Sequence, residues 1–259
     1  DNRFLVSAGY DRTIRLWDMA EKKPQGQIFA GHEGPVTQVT LLRNNEFLLS
    51  SGEDKYLRLW HRASQACIHQ FAGQNNFING FALSLDERFV LTGGGSVFGN
   101  PDNSLRYWDI ASGKCIRTLE GHDSWISAVC LTPDGQSAYS ASHDKTIKHW
   151  NLNTGQCLKT FTEHQALVTC LALSADGMYL LSGSKDTTVK LWQLETGRCL
   201  HTLYGHGQPV RAVSLSQDGR YVFTAGDDYR VLVWQLDWDL QERNPEQWDW
   251  AILPWLGAF

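Results

Sequence analysis

No apolar run in the sequence approaches the roughly 20 residues needed to cross a bilayer. Nor is there a basic excess: 23 Lys and Arg stand against 28 Asp and Glu, mixed along the chain, for a formal net charge of -5. Sequence-independent nucleic-acid binding needs a basic face, so neither nucleic acid nor membrane is expected as a partner. No metal-ligand spacing recurs among the His and Cys residues, and no metal or cofactor is expected. The Gly-rich stretch "TGGGSVFGNPDN" lacks the GKS or GKT ending and following helix of a phosphate loop. No secretory-signal pattern stands at Asp1, and "DNRFLVSAGYDRT" reads as the middle of a fold. The expectation is a segment of a longer polypeptide.

What is present is tryptophan and repetition. The 259 residues suffice for one large all-β domain or two small domains, and they hold eleven Trp. Alignment on Trp17, Trp60, Trp108, Trp150, Trp192 and Trp234 gives spacings of 43, 48, 42, 42 and 42 residues. An Asp stands six residues before each: Asp11, Asp54, Asp102, Asp144, Asp186 and Asp228. A hydroxyl precedes each Asp: Ser7, Ser50, Thr92, Ser140, Ser182 and Thr224, with Thr92 displaced by an insertion. His32, His122, His164 and His206 lie 22 residues before their Asp. Cys67, Cys115, Cys157 and Cys199 each follow a Trp by seven residues. Such recurrence reads as one structural slot for a small core thiol in a reducing, cytoplasmic setting.

One repeat, "GHDSWISAVCLTPDGQSAYSASHDKTIKHW", holds His122, Ser140 and Asp144, the residue types of a hydrolase triad. The set recurs four times at fixed spacing, whereas an enzyme needs one activated nucleophile. Recurrence at the structural period points to scaffolding, and no catalytic residue is assigned. The lone histidines His143 and His149 are read as locally satisfied side chains. Within the repeat, "WISAVCLT", "SAYSAS", "TIKHW" and "CLKTF" read as strands, the first and third with alternating burial. "PDG", "HDK" and "NTG" read as turns.

These repeats resemble WD40 repeats, on "GHEGPV…SSGEDKYLRLWH", "GHDSWI…SASHDKTIKHWN", "EHQALV…SGSKDTTVKLWQ" and "GHGQPV…TAGDDYRVLVWQ". The resemblance implies an all-β WD40 β-propeller over residues 1–236, built of four-stranded antiparallel blades. Six repeats are visible, as part of a seven-bladed ring. It further implies a hydrogen-bonded tetrad in each blade. The members are His32, Ser50, Asp54 and Trp60; His122, Ser140, Asp144 and Trp150; His164, Ser182, Asp186 and Trp192; and His206, Thr224, Asp228 and Trp234. The first copy lacks an innermost strand and the last lacks its own fourth strand, so upstream sequence is expected to close the ring. Residues 237–259 form a Trp-rich tail, read as packing on the propeller or as the start of a helical extension.

The third repeat departs from the pattern. Gln74 stands where His is expected, and its turn is six residues longer than its siblings. Gly93, Gly94, Gly95 and Gly99 would make that turn a pliable surface loop tipped by Val97 and Phe98. In the resembled family, partner-contacting residues lie three and five after the repeat His and just before the tetrad Asp. Carried over, these are Pro35, Thr37 and Glu53; Phe77 and Asn79; Trp125, Ser127 and His143; Leu167, Thr169 and Lys185; Pro209, Arg211 and Asp227; with Tyr10 from the first copy and Phe98 nearby. The set places Tyr10, Phe77, Trp125 and Phe98 on an exposed rim. It implies a non-enzymatic module binding a protein or peptide, or another domain of the same polypeptide, within a larger bacterial signalling or defence protein. A small-ligand sensor using the central channel and a propeller enzyme are the alternatives.

Overall fold

The computed structural model describes residues 3–20, 26–95 and 102–236. Phe98 and the tail from residue 237 lie outside the described residues. Every regular element among the described residues is a strand, and the strands form six sheets in sequence order.

The first sheet is β1 (Phe4–Ala8), β2 (Thr13–Asp18) and β3 (Gln27–Ala30). The second is β4 (Val36–Leu41), β5 (Phe47–Gly52), β6 (Leu57–His61) and β7 (Ala66–Phe71). The third is β8 (Ile78–Leu83), β9 (Phe89–Gly94), β10 (Leu105–Asp109) and β11 (Cys115–Leu119). The fourth holds β12 (Ile126–Leu131), β13 (Ser137–Ser142), β14 (Ile147–Asn151) and β15 (Cys157–Phe161). The fifth holds β16 (Val168–Leu173), β17 (Tyr179–Ser184), β18 (Thr188–Gln193) and β19 (Arg198–Tyr204). The sixth is β20 (Val210–Leu215), β21 (Tyr221–Gly226) and β22 (Val231–Gln235). These sheets have the form of WD40 blades: each strand pairs antiparallel with the next along the chain.

The chain divides into two compact units, residues 1–138 with 150–157 and residues 139–149 with 158–259. In the first unit, core lies between successive sheets. Ile14, Leu16 and Phe29 of the first sheet pack on Leu48 and Trp60 of the second. The opposite face of the second sheet, with Leu49, Leu57 and Leu59, packs on Val90 and Trp108 of the third. In the second unit, Leu181, Val189 and Leu191 pack in the same way on Val222 and Trp234. A middle strand such as β5, "FLLSSG", is thus buried on both faces, which is why its small and apolar residues show no alternation with charged ones. The first strands differ from expectation: β12 is buried only at Ile126 and half-buried beyond it. It is a sheet edge, with a strand on one side only.

Among the described residues, two faces have no sheet packed on them. At the position of buried Leu48, the first sheet has Leu5, 55% exposed. At the position of Leu49 and Leu181, both 0% exposed, the sixth sheet has Phe223, 41% exposed, beside exposed Val231 and Val233. The first sheet therefore opens one face of the repeated unit, and the sixth opens the other.

The recurrent Cys slot is not in the core. Cys67, Cys115 and Cys157 are exposed on edge strands and Cys199 is half-buried. Cys67, Cys115 and Cys199 stand opposite Trp60, Trp108 and Trp192 where the register slips between third and fourth strands. Pairing across that bulge fixes the seven-residue spacing; burial does not.

Candidate functional site

Each repeat has a tight turn after its second strand, opened by the tetrad Asp. In all six, the Asp Oδ1 accepts the backbone N–H two residues on, at 2.8–3.3 Å. This Asx turn supports the left-handed backbone of the intervening residue in five of them: Arg12, Lys55, Lys145, Thr187 and Tyr229. The turn explains why the third repeat keeps Asp102 although Gln74 replaces its His.

Behind the turn, side chains form a one-way relay. In the second repeat Trp60 Nε1 donates to Ser50 Oγ at 2.8 Å, Ser50 Oγ meets His32 Nε2 at 2.7 Å, and His32 Nδ1 meets Asp54 Oδ2 at 2.9 Å. The fifth repeat repeats it with Trp192, Ser182, His164 and Asp186 at 2.8, 2.7 and 2.8 Å. The sixth has Trp234, Thr224, His206 and Asp228 at 3.0, 2.8 and 2.9 Å. Indole has only a donor and carboxylate only acceptors, so the protons run from Trp through hydroxyl and imidazole to Asp. Burial by itself would raise the Asp54 carboxyl, but hydrogen bonds from His32 and the Glu33 amide, with the charge of Arg58, hold it below its ordinary value. In the fourth repeat His122 and Ser140 are buried, and the His122 ring lies 6.0 Å from that of Trp150.

These are also the distances of a hydrolytic Ser-His-Asp relay. Accessibility separates the two. Ser50 and Ser182 are 0% exposed, and each Oγ already accepts an indole N–H, so no acyl substrate reaches them.

The outlying repeats lose parts of the relay. In the first, Trp17 still donates to Ser7 Oγ at 3.0 Å, but Asp11 is exposed and pairs with Thr13 and Arg15. In the third, Trp108 donates to Thr92, and Thr92 donates to Gln74 Oε1 at 2.8 Å, where the relay stops. There Asp102 is held instead by Ser104, Arg106 and the Asn75 amide.

The carried-over contact residues fall into separate groups. Thr37 donates to the Ile78 carbonyl at 2.6 Å, Asn79 to Ile126 at 2.9 Å and Thr169 to Val210 at 2.6 Å. Each stitches its sheet to the first strand of the next. Pro35 and Pro209 accept backbone N–H groups from Glu53 and Asp227, and the Leu167 carbonyl accepts that of Lys185. Glu53, Ser127, His143 and Leu167 are half-buried.

The exposed aromatic rim needs correction. Tyr10 is 85% exposed, but Phe77 and Trp125 are half-buried. A methyl group on Gly95 would sit 2.8 Å from Trp125 Cα and 3.0 Å from its Cγ, so the third repeat's backbone packs directly on Trp125. Gly93, Gly94 and Gly95 are buried, and the first two belong to β9. They serve close approach rather than pliability: a methyl on Gly93 would strike Ile126 and Val129. Tyr229, fully exposed after Asp228, went unremarked in the sequence; its place beyond the tetrad Asp was the available signal.

Charge gathers on the second unit's turns. Arg211 and Asp227 form a two-pronged pair, Nε to Oδ1 at 2.8 Å and Nη2 to Oδ2 at 2.7 Å. Burial, then the charges of Lys185 and Arg211, push the His143 imidazole below its ordinary value, against the opposing charge of Asp144.

Burial also lowers His149 and His201, and the Lys159 charge adds to the effect on His149. His149 stacks on Tyr139 at 4.5 Å, and its Nε2 has no hydrogen-bond partner among the described residues. A folded-state pKa below that of the unfolded chain means the unfolded chain takes up protons first. Stability is then complete above about pH 6.5 and falls as pH drops below it. Urea midpoints between pH 7.5 and 5 should show this decline. His149→Leu, the residue of the second and fifth repeats at this position, should flatten it; an unchanged slope would refute the assignment.

Among the described residues no helix is long and apolar enough to cross a membrane. Nor does any group of three or more His, Cys, Asp or Glu side chains there converge as metal ligands would. A family model described as "WD domain, G-beta repeat" matches residues 1–18, 23–61, 65–109, 113–151, 155–193 and 197–235. No curated protein sequence matches the chain.

Proposed function

Since the chain belongs to the WD40-repeat family, we propose that it is a non-enzymatic scaffold that binds a protein or peptide through its turn-borne rim. WD40 repeats generally act as protein-interaction scaffolds. The observation that carries the reading is the direction of the polar chemistry. The recurrent His, Ser, Asp and Trp groups point inward and satisfy one another. The side chains left outward include Tyr10 on a turn of the first unit and, in the second unit, Arg211 on β20 with Lys185 and Asp227 on turns; Tyr and Arg are types that anchor interfaces.

The sheets are read as blades of a propeller completed by a further four-stranded sheet. Supporting this are the two open faces, Leu5 on one side of the repeat and Phe223, Val231 and Val233 on the other. They are the two halves of the contact made between successive sheets.

The test is capture from the source cell with the native chain and with Tyr10→Ala/Asp227→Lys, alongside Leu158→Ser on an outer edge strand as control. The rim variant should lose a partner that the native chain and the control retain, at unchanged thermal midpoint. Retention by all three, or loss by all three, refutes the rim.

A further inference from the structure

At the strand ends away from the tetrad turns, a groove of about 410 Å³ lies between the second and third sheets. Buried Leu59 and exposed Ile68 form its apolar wall, and His69, Glu87, Arg88 and Asp109 its polar one. Later repeats show what fits such a place. Arg117 and Lys159 stand nine residues after Trp108 and Trp150, where His69 stands after Trp60. Each reaches across to a turn of the following sheet. Arg117 Nη1 donates to the Thr154 carbonyl at 3.4 Å, and Lys159 Nζ to the Thr196 carbonyl at 2.6 Å. Their stems lie on the glycine of that turn. A methyl on Gly155 would sit 3.0 Å from Arg117 Cδ, and one on Gly197 would meet Lys159 Nζ and Cε. The chain thus bridges these places with a long cation of its own.

The second repeat lacks that cation. His69 touches the equivalent Gly113 but is shorter than Arg or Lys, and the groove stays open. The third sheet carries carboxylates in the same place. Glu87 takes the left-handed turn position of Gly135 and Gly177, and Asp109 the position of Asn151 and Gln193. Among the lining side chains, Glu87 and Asp109 stand against Arg88, and the adjacent Asp86 adds a further carboxylate that accepts the Arg88 amide at 3.1 Å. Glu87 accepts the Arg43 amide at 2.9 and 3.1 Å, and Asp109 Oδ1 accepts the Ser112 amide and hydroxyl, both at 2.7 Å. Each carboxylate keeps acceptor capacity beyond these bonds. We propose that this groove receives a Lys or Arg side chain of a partner protein, its stem on Leu59 and Ile68 and its charged head toward Glu87 and Asp109. It is a second site, separate from the rim.

Fluorescence anisotropy on the whole chain tests it with short peptides that carry one Lys or Arg, each paired with its acetyl-lysine or citrulline isostere. Cationic peptides should bind better than their isosteres and weaken with salt. His69→Lys gives the second repeat the cation that the fourth has at Lys159, and should cost binding about tenfold or more. Asp109→Asn, the residue of the fourth repeat, keeps an acceptor for Ser112 and should do the same. Neither should lower the thermal midpoint. Equal binding of the isosteres, undiminished binding by either folded variant, or no binding by any peptide overturns the groove. If peptides are lost with Tyr10→Ala/Asp227→Lys and retained with both groove variants, the rim stands and this inference falls.

Discussion

Asp54→Ala is expected to lower stability by about 3–5 kcal/mol, the cost of stripping one partner from a buried charged network. Asp54 joins the His32 imidazole at 2.9 Å and the Arg58 guanidinium at 2.7 Å, and the side chains of all three are almost wholly buried. Its removal leaves Arg58 charged and enclosed, with the distant Gln70 amide as its other acceptor at 3.4 Å. It also removes the acceptor at the end of the relay and the Asx turn in front of it. Asp11→Ala is the internal control. It occupies the same place in the repeat and pairs with Arg15 at 2.9 Å, but both side chains are about half exposed. Such a solvent-screened pair contributes little to stability. Denaturant unfolding of the two variants should therefore separate widely. Similar losses would show that the turn, and not the buried network, carries the stabilisation.

Leu181→Ala should cost about 2–5 kcal/mol and Phe223→Ala about 1 kcal/mol or less, although the two positions are equivalent in the repeat. Leu181 is enclosed by the sixth sheet, while Phe223 faces outward from it. The pair reports what covers the open face. A cost at Phe223 that rises to that of Leu181 in a longer polypeptide marks a further sheet packed there. The same rise in the isolated chain, if dependent on protein concentration, marks a second copy instead. Equal costs at every concentration would contradict the exposure of Phe223.

The scaffold was legible because its determinants lie at short, fixed spacings. The relay from Trp192 to Asp186 uses four side chains within 29 residues of sequence, each a type with one evident polar role. Strands β12 to β15 of the fourth repeat were readable from their patterns. The exposure of the carried-over contact residues was not legible. Thr37 and Asn79 are spent on carbonyls one repeat further on, and a turn-local reading does not weigh a neighbour's backbone. Trp125 is half-buried because Gly95 lets another repeat approach, so the feature taken for flexibility is the cause of its partial burial. The thiol slot misled for a related reason. Periodicity marks a conserved place in the sheet, and an edge strand opposite Trp is such a place as surely as a core position is.

The stitches between sheets also bear on how the molecule assembles. Thr37 reaches 41 residues ahead, Asn79 47 and Thr169 41, each no further than the first strand of the following repeat. A sheet emerging from the ribosome therefore finds the carbonyl it needs as soon as the next one begins. Its cost in loop closure is that of a single repeat, however many repeats the array holds. Assembly by these contacts can begin at any sheet and spread one repeat at a time, each finished sheet offering a template to its neighbour.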